Sequence, residues 1–540
     1  MPGWNDGAIT DIAATPRFSR ETTPIWLATT CALLGFRAPS LTRPFRYADL
    51  GCGAGFGALT VAATCPRAEV WGFDFNPANI EFARDLAEQA GLTNIRFMET
   101  SFETLAAMPP DSLPEFDFMI AEHVLSVISP ENQRHIQTII GRQLRPGGLA
   151  YLGYDTDTGW TEFEPIQTLM RMLFEAGTET SEFAIPDIFA YLDRLNTGGA
   201  LYFKRNPILE QRLASIRRLP AADLALRWLN QDWHALMFAD VADAMEEVKC
   251  DFLGRATLHE NIPAASVPAG MLPLLEEAAS IRIKETMQDV AAGTPYRRDI
   301  YRRGLTFVPV AAHHAQLDAI TVAAMADGPL MVPTWQGPAP ADPAVYDPLT
   351  EALREGRLSL AKARTLGALA GAPVEDAANA MAMLIAAGRA HPVMPDLVAR
   401  EATARVSRFN DAIIDAITRG EDLGYLVSPV LGSAIPASPL EALTIGAIAY
   451  GQSVDDLDGL TGGVLMAMRR GGRAVTRDGA PIEDEAEARS VLRAVVTQIL
   501  EHRVPLFRAL GVLPAGLAAS STHQLAMQGN VEAPAHVAVE

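Results

Sequence analysis

Between positions 49 and 155 the chain carries an ordered series of residues suited to binding a nucleoside-bearing ligand and handling a proton. The first group is Asp49-Leu-Gly51-Cys-Gly53-Ala-Gly55-Phe-Gly57, an acid followed by glycines at alternate positions. Glycine takes positive φ at little cost and lets a ligand approach the backbone. A helix starting just beyond such a turn presents free N–H groups. The dinucleotide fingerprint GxGxxG, counted from Gly51, needs glycine at 56, where Phe56 stands. The second group is Asp74 with Phe75 and Asn76. An acid at the end of the next strand can accept both hydroxyls of a ribose, although it can equally serve as a helix N-terminal acid. Ser101 and Phe102 follow the third strand. Glu122 and His123 follow the fourth strand, and Tyr154 and Asp155 end the fifth. A carboxylate, an imidazole and a phenol there are candidates to orient an acceptor or take its proton.

Those groups need a sheet whose strands all end on one edge. FRYADL, AEVWGFD, NIRFM, FDFMIA and LAYLGY read as five strands, separated by helical patterns at 56–65, 77–90 and 131–144. In the second of these, Ile80, Ala83, Leu86, Ala87 and Ala90 fall on one face, and Pro77 sits at a tolerated first-turn position. Repeated β-α units predict an α/β fold with a parallel sheet covered by helices on both faces. After Trp160 the strand signal fades. Residues 161–326 read as a mostly helical middle domain. The six prolines within 327–348 read as a semi-rigid linker. Residues 349–514 read as a C-terminal helical domain, and 515–540 as a loose tail. The first domain is thus expected over 1–160.

At roughly 150 residues per domain, 540 residues accommodate three or four domains. Acids outnumber bases 65 to 44, a net charge of -21 that repels phosphate backbones and argues against nucleic acid as a partner. A basic partner, such as a lysine-bearing protein, is electrostatically easier. Cys31, Cys52, Cys65 and Cys250 form no CxxC pair, so neither a zinc ribbon nor a disulfide framework is read. His313-His314 and His259-Glu260 lack metal-ligand spacing, and no metal is assigned. The first residues lack a signal-peptide pattern. The apolar stretch 424–451 is broken by Pro429, Pro436 and Pro439. The expectation is a cytoplasmic protein with no membrane span. Nothing in the sequence decides between a monomer and a homodimer.

The D-x-G-x-G-x-G spacing resembles the first motif of class I S-adenosylmethionine (SAM)-dependent methyltransferases. The resemblance extends beyond it. Pro16–Pro24 is similar to an entry segment. Asn230-Gln-Asp-Trp233 through Asn261, closing with Tyr296-Arg297-Arg298-Asp299-Ile300-Tyr301-Arg302-Arg303-Gly304, resembles a methyltransferase regulatory domain, expected at about 220–305. Tyr425-Leu-Val-Ser-Pro429-Val-Leu-Gly432 also fits. Together these resemble the bacterial lysine methyltransferases that act on outer-membrane proteins. The resemblance implies a Rossmann-like methyltransferase sheet followed by mostly helical middle and C-terminal domains. It implies SAM as cofactor, held by Asp49, Gly51, Gly53, Gly55, Asp74, Phe75, Asn76, Ser101 and Phe102, with Asp49 near its amino-acid portion. Glu122, His123, Tyr154 and Asp155 become the candidate catalytic residues, and a protein the substrate. Two stretches depart from the family pattern. Of the usual His-Gly and aromatic-Ser-Trp after the fourth strand only Ser126 remains, and of Tyr-Asn, Pro-Gly-Trp after the fifth only Tyr154, Gly159 and Trp160 remain. A small-molecule methyltransferase with a helical lid is the alternative. A further alternative is a SAM-sensing regulator, because 349–394 reads as a winged helix. Its recognition helix, 374–387, carries Glu375 and Asp376 and no Lys or Arg, a poor match to a groove-reading helix.

Overall fold

A computed structural model describes residues 5–12, 14–304, 307–477 and 480–513. The expected tail at 515–540 lies outside the described residues. At the centre is a seven-stranded sheet formed by β1 (Phe45–Leu50), β2 (Ala68–Asp74), β3 (Ile95–Glu99), β4 (Phe116–Ala121), β5 (Leu144–Asp155), β6 (Cys250–Arg255) and β7 (Tyr296–Arg303), in the order β3-β2-β1-β4-β5-β7-β6. The first five strands pair in parallel. β7 then runs antiparallel to β5, and β6 antiparallel to β7. Helices α1 (Pro24–Leu33), α2 (Phe56–Thr64), α3 (Pro77–Gln89), α4 (Phe102–Ala107) and α5 (Pro130–Gln143) accompany the parallel half. The strand order reverses beside β1, and the crevice at the carboxyl ends of the strands there is where ligands bind in such sheets.

The expected boundary at residue 160 does not coincide with the edge of this sheet. Its last two strands come from the stretch read as a helical middle domain. β7, YRRDIYRR, hides from a hydrophobic-pattern search because its buried side chains are charged and paired. Arg297 bonds Asp299, Asp289 and Glu285, and Arg255 on β6 bonds Glu285 and Asp289. Arg255, Arg297 and Asp299 are essentially inaccessible to solvent. Charges survive such burial only when paired and hydrogen-bonded. Between β5 and β6 the chain makes a helical insertion with its own apolar core, built on Trp160, Phe163, Trp228 and Trp233.

The proline-rich stretch at 327–348 is not a linker. It contains a two-strand hairpin, Met331–Val332 with Ala339–Pro340, and the start of helix Pro343–Glu355. Strand Thr321–Ala324, which precedes it, pairs with Leu358–Ser359 and Ala390–Pro392, which follow it. The C-terminal region is also packed onto the sheet domain rather than hung from it. Phe56 at the start of α2 meets Phe409 at 5.8 Å and Tyr425 at 5.5 Å, and one apolar core continues from Ile25 to Leu513. Helix Val374–Ala386, the expected recognition helix, buries most of its residues in that core. Among the described residues no helix is long and apolar enough to cross a membrane.

Candidate functional site

The strand ends open into a cavity of about 1390 Å³. Its walls come from distant parts of the chain: the glycine turn, the N-terminal segment on either side of Ile9 and Ala14, Asp223 and Arg227 of the insertion, Tyr296 and Arg298 of β7, and Tyr425 and Pro436 of the C-terminal region.

One half is built around the glycine turn. Gly51, Gly53 and Gly55 all have positive φ. A Cβ on Gly55 would stand 2.7 Å from both Ala83 and the Phe97 ring, so this position needs glycine for packing. At Gly53 the nearest atom to such a Cβ is Ala14 Cβ at 3.5 Å, which leaves that backbone open on its cavity side. The turn is latched to β2: the Gly51 and Cys52 amides donate to Phe73 O, and the Gly53 amide donates to Asp74 Oδ2 at 2.9 Å. Asp74 Oδ1 accepts from the Asn76 amide at 2.9 Å and from Asn79 Nδ2 at 3.2 Å. Burial raises the Asp74 pKa, and these hydrogen bonds hold it back. Asn76 caps α3 by accepting from the Ala78 amide, and Ser101 caps α4 by accepting from the Thr104 amide. Phe75, Ser101 and the Phe102 ring also line the cavity.

Asp49 is the open position in this half. Its carboxylate reaches the cavity and has no hydrogen-bond partner among the described residues. Burial, with Glu122 and Asp74 nearby, pushes it up to about 7. A site that strains an acid in this way favours a cationic group beside it. An open glycine backbone, an acid at the end of β2 and an unpaired acid at the end of β1 together suit the amino-acid and ribose portions of SAM.

The other half gathers around the ends of β4 and β5, and here the four candidate catalytic residues part company. Successive side chains of a strand point to opposite faces. Tyr151, Gly153 and Asp155 face the cavity side, whereas Tyr154 points into the other core and bonds Asp299 at 2.5 Å. Tyr154 does not line the cavity. Asp155 does, but it is fully engaged: Arg227 pairs with it, Trp233 Nε1 donates to Oδ2 at 3.1 Å, and its amide donates to Ser126 Oγ at 2.8 Å. It therefore fastens the insertion to β5. Glu122 Oε2 accepts from Tyr151 Oη at 2.7 Å and Tyr296 Oη at 3.1 Å. Burial and the Glu122 charge hold both phenols well above the usual tyrosine range, so both stay donors. His123 has φ +57, uncommon for a residue with a Cβ. Its ring opens to the cavity and stacks on Tyr296 at 4.5 Å. The enclosing walls, then Arg227, with smaller contributions from Arg298 and Arg17, lower its pKa to about 3 against the opposing Asp155, while Glu122 Oε1 lies 3.5 Å from its Nε2.

Several cavity residues were not anticipated. Asn79 links Asp74 to the Ala14 amide. Tyr296, Arg298 and Arg227 complete the acceptor side, with the buried Tyr151 behind them holding Glu122. A stretch of the N-terminal segment forms part of the wall: Asp6 accepts from Asn132, the Ile9 amide donates to Asn230, and Arg17 pairs with Asp223. Of these, Arg298 and Tyr296 had a visible signal in the YRRDIYRR motif. The retained family residues also acquire roles. Ser126 holds the Asp155 amide. Trp160 Nε1 donates to Pro295 O at 2.8 Å, and a Cβ on Gly159 would stand 2.3 Å from Pro295 Cα.

The sheet, the glycine turn and the two strand-end acids define a SAM-dependent methyltransferase. A family profile described as a methyltransferase domain matches residues 42–168, and one described as a predicted methyltransferase regulatory domain matches 221–303. The chain belongs to the class I SAM-dependent methyltransferases and carries that regulatory domain. Trans-aconitate 2-methyltransferase of Methylobacterium radiotolerans is 30% identical over 234 residues, 43% of this chain and 79% of that one. The protein sll1526 of Synechocystis is 28% identical over 518 residues, 94% of this chain and 99% of its own length. Among solved structures, PKMT2 of Rickettsia typhi in complex with AdoHcy has the same fold, with a TM-score of 0.66 at 17% identity over 93% of this chain and 99% of that one.

Proposed function

We propose that the protein methylates a protein substrate on a lysine amine. The observation that supports this most is the size and make-up of the cavity. Ligand pockets for small molecules usually span about 300–1,000 Å³. Here about 1390 Å³ extends past the cofactor half, with walls from the insertion, β7 and the C-terminal region. That cavity takes in the cofactor's own space, and the part beyond it is open to an acceptor side chain. The resemblance to lysine methyltransferases of outer-membrane proteins and the net charge of -21, which favours a basic partner, support the same reading.

When bound, SAM supplies an electrophilic methyl on a sulfonium. The chain's own residues position it and prepare the acceptor. Asp49 and Asp74, with the Gly53 backbone, would hold the amino-acid and ribose ends. An amine attacks only as the neutral base. Arg227, Arg298 and Arg17, whose charges oppose protonation of His123, also disfavour an ammonium at that spot. The acceptor amine therefore sheds its proton to solvent as it enters, and the cavity excludes bulk water as the side chain fills it.

The relative that methylates trans-aconitate is the reason to keep a small-molecule acceptor in view, although the match to it covers under half of this chain. Incubation of the protein with methyl-labelled SAM and a cell lysate separates the readings. Protein-bound label that survives hydrolysis as methyl-lysine is expected. Label confined to the small-molecule extract would sink the protein reading.

A further inference from the structure

We propose that Tyr296, in the domain described as regulatory, is a positioning residue of methyl transfer: it sets His123 and Glu122 at the acceptor end of the cavity. This requires only that the protein is a methyltransferase, and holds for a protein or a small-molecule acceptor.

Three elements converge on this side chain. β7 enters the sheet beside β5 with Tyr296 opposite Asp155 and Arg298 opposite Gly153. The Tyr296 hydroxyl donates to Glu122 Oε2 at 3.1 Å and accepts from the His123 backbone amide at 3.2 Å. Its ring lies against the His123 imidazole at 4.5 Å and 29°, and the Arg298 guanidinium sits over that ring at 4.8 Å. Thus one phenol fixes both the backbone and the ring of a residue held in the left-handed region, a conformation that persists only where its surroundings impose it. The space for this contact is made by Gly153. A Cβ there would lie 2.3 Å from Tyr296 Oη and 2.0 Å from Glu122 Oε2. Glu122 Oε1 and Arg298 Nε face one another at 3.8 Å, each buried without a hydrogen-bond partner. The Tyr296 bond is therefore one of two hydrogen bonds, with Tyr151, that orient the Glu122 carboxylate.

None of these groups contacts the glycine turn through a hydrogen bond, and Glu122, whose charge acts on Asp49, keeps that charge and its Tyr151 bond in Tyr296→Phe, so SAM affinity should be little changed. The test uses the full-length protein and Tyr296→Phe, with Gly153→Ala as a second variant that displaces the same contact from β5. Tyr301→Phe is the control: it removes a hydroxyl from the same strand on the opposite face, where that group makes only a 3.4 Å contact with Asp299. Transfer is read as total label passed from SAM to a cell lysate, protein and extract together, across SAM concentrations. SAM affinity is read by calorimetry, and folding by thermal melts. Expected are unchanged SAM affinity and KM for SAM, and a maximal rate lowered on the order of 10²-fold in Tyr296→Phe, the scale set by an ångström-level misplacement. Tyr301→Phe should match wild type. A second readout needs no acceptor. In protein labelled with 15N-histidine, the His123 ring signal, identified by its loss in His123→Gln, should shift or broaden in Tyr296→Phe, which loses the hydroxyl that holds the His123 amide. A wild-type rate in Tyr296→Phe, or a loss of rate explained by lost SAM affinity, overturns the proposal. If the lysate takes no label from wild type, the protein-methylation reading fails, and an unchanged His123 signal then overturns this one separately.

Discussion

The two halves of the cavity are built in opposite ways. The cofactor half is local: Asp49, the glycines, Asp74, Asn76 and Ser101 follow one another along consecutive β-α units, and each is placed by the turn or helix cap next to it. The acceptor half is assembled over long distances. Glu122 meets Tyr151 and Tyr296, and Asp155 meets Arg227 and Trp233. The lesson is that cofactor binding can be damaged by a single backbone change, whereas acceptor binding depends on how the insertion and β7 sit against the parallel sheet.

The largest break comes from removing what holds the halves together. A chain cut after Pro333 takes away both partners of Thr321–Ala324 and uncovers Phe56. It should lose its cooperative melt. A well-folded truncation that still binds SAM would show that the C-terminal region is separable after all. Next in size, Gly53→Val should abolish SAM binding by calorimetry while the melt falls by only the roughly 1–2 kcal/mol that a left-handed Cβ costs. Retained affinity would move the cofactor off this turn.

Asp155→Asn and Tyr154→Phe then separate neighbours on one strand. The first strands Arg227 and should cost about 3 kcal/mol in denaturant unfolding, with a fall in methyl transfer as the insertion loosens. The second removes one buried hydrogen bond to Asp299, worth about 1 kcal/mol, and should leave transfer at the wild-type rate. Equal kinetic damage in both would place Tyr154 back at the reacting centre. The smallest expected effect is graded. Asp49 is raised to about 7, so it is neutral below that pH and ionised above it. SAM affinity, which draws on the ionised form to meet the cofactor's ammonium, should fall as pH drops through about 7, approaching tenfold per unit below it. Asp49→Asn should bind weakly and without that slope. A wild-type affinity flat from pH 8 to 6 would remove Asp49 from the amino-group site.

How much of this was legible follows the same divide. The turn, the acids and five strands lie in a stretch where pattern and position agree, and the structure places Asp49, Asp74, Phe75, Asn76, Ser101 and Phe102 on the cavity. Tyr154 and Asp155 both end β5, and proximity alone makes both look catalytic. The alternation Tyr151, Gly153, Asp155 separates them, but only once the cavity face is known. β7 escaped notice because Arg297 and Asp299 neutralise one another inside the core, and hydrophobic periodicity is blind to paired charges. The proline-rich segment misled for a related reason. Composition reports stiffness, whereas the pairing of Thr321–Ala324 with strands on its far side is a long-range fact.

The strand order carries a consequence for how the chain is made. β7 lies between β5 and β6, so the edge of β5 has no neighbour until residue 303 has left the ribosome, 148 positions after Asp155. At about 5–20 residues per second that is a delay on the order of ten seconds. During it, the nascent parallel sheet presents LAYLGY as an open edge, the kind of template on which strands of other chains add. The helical insertion is synthesised in that interval, and its Arg227 and Trp233 reach Asp155 only at the tip of the strand, so the rest of the edge waits for β7.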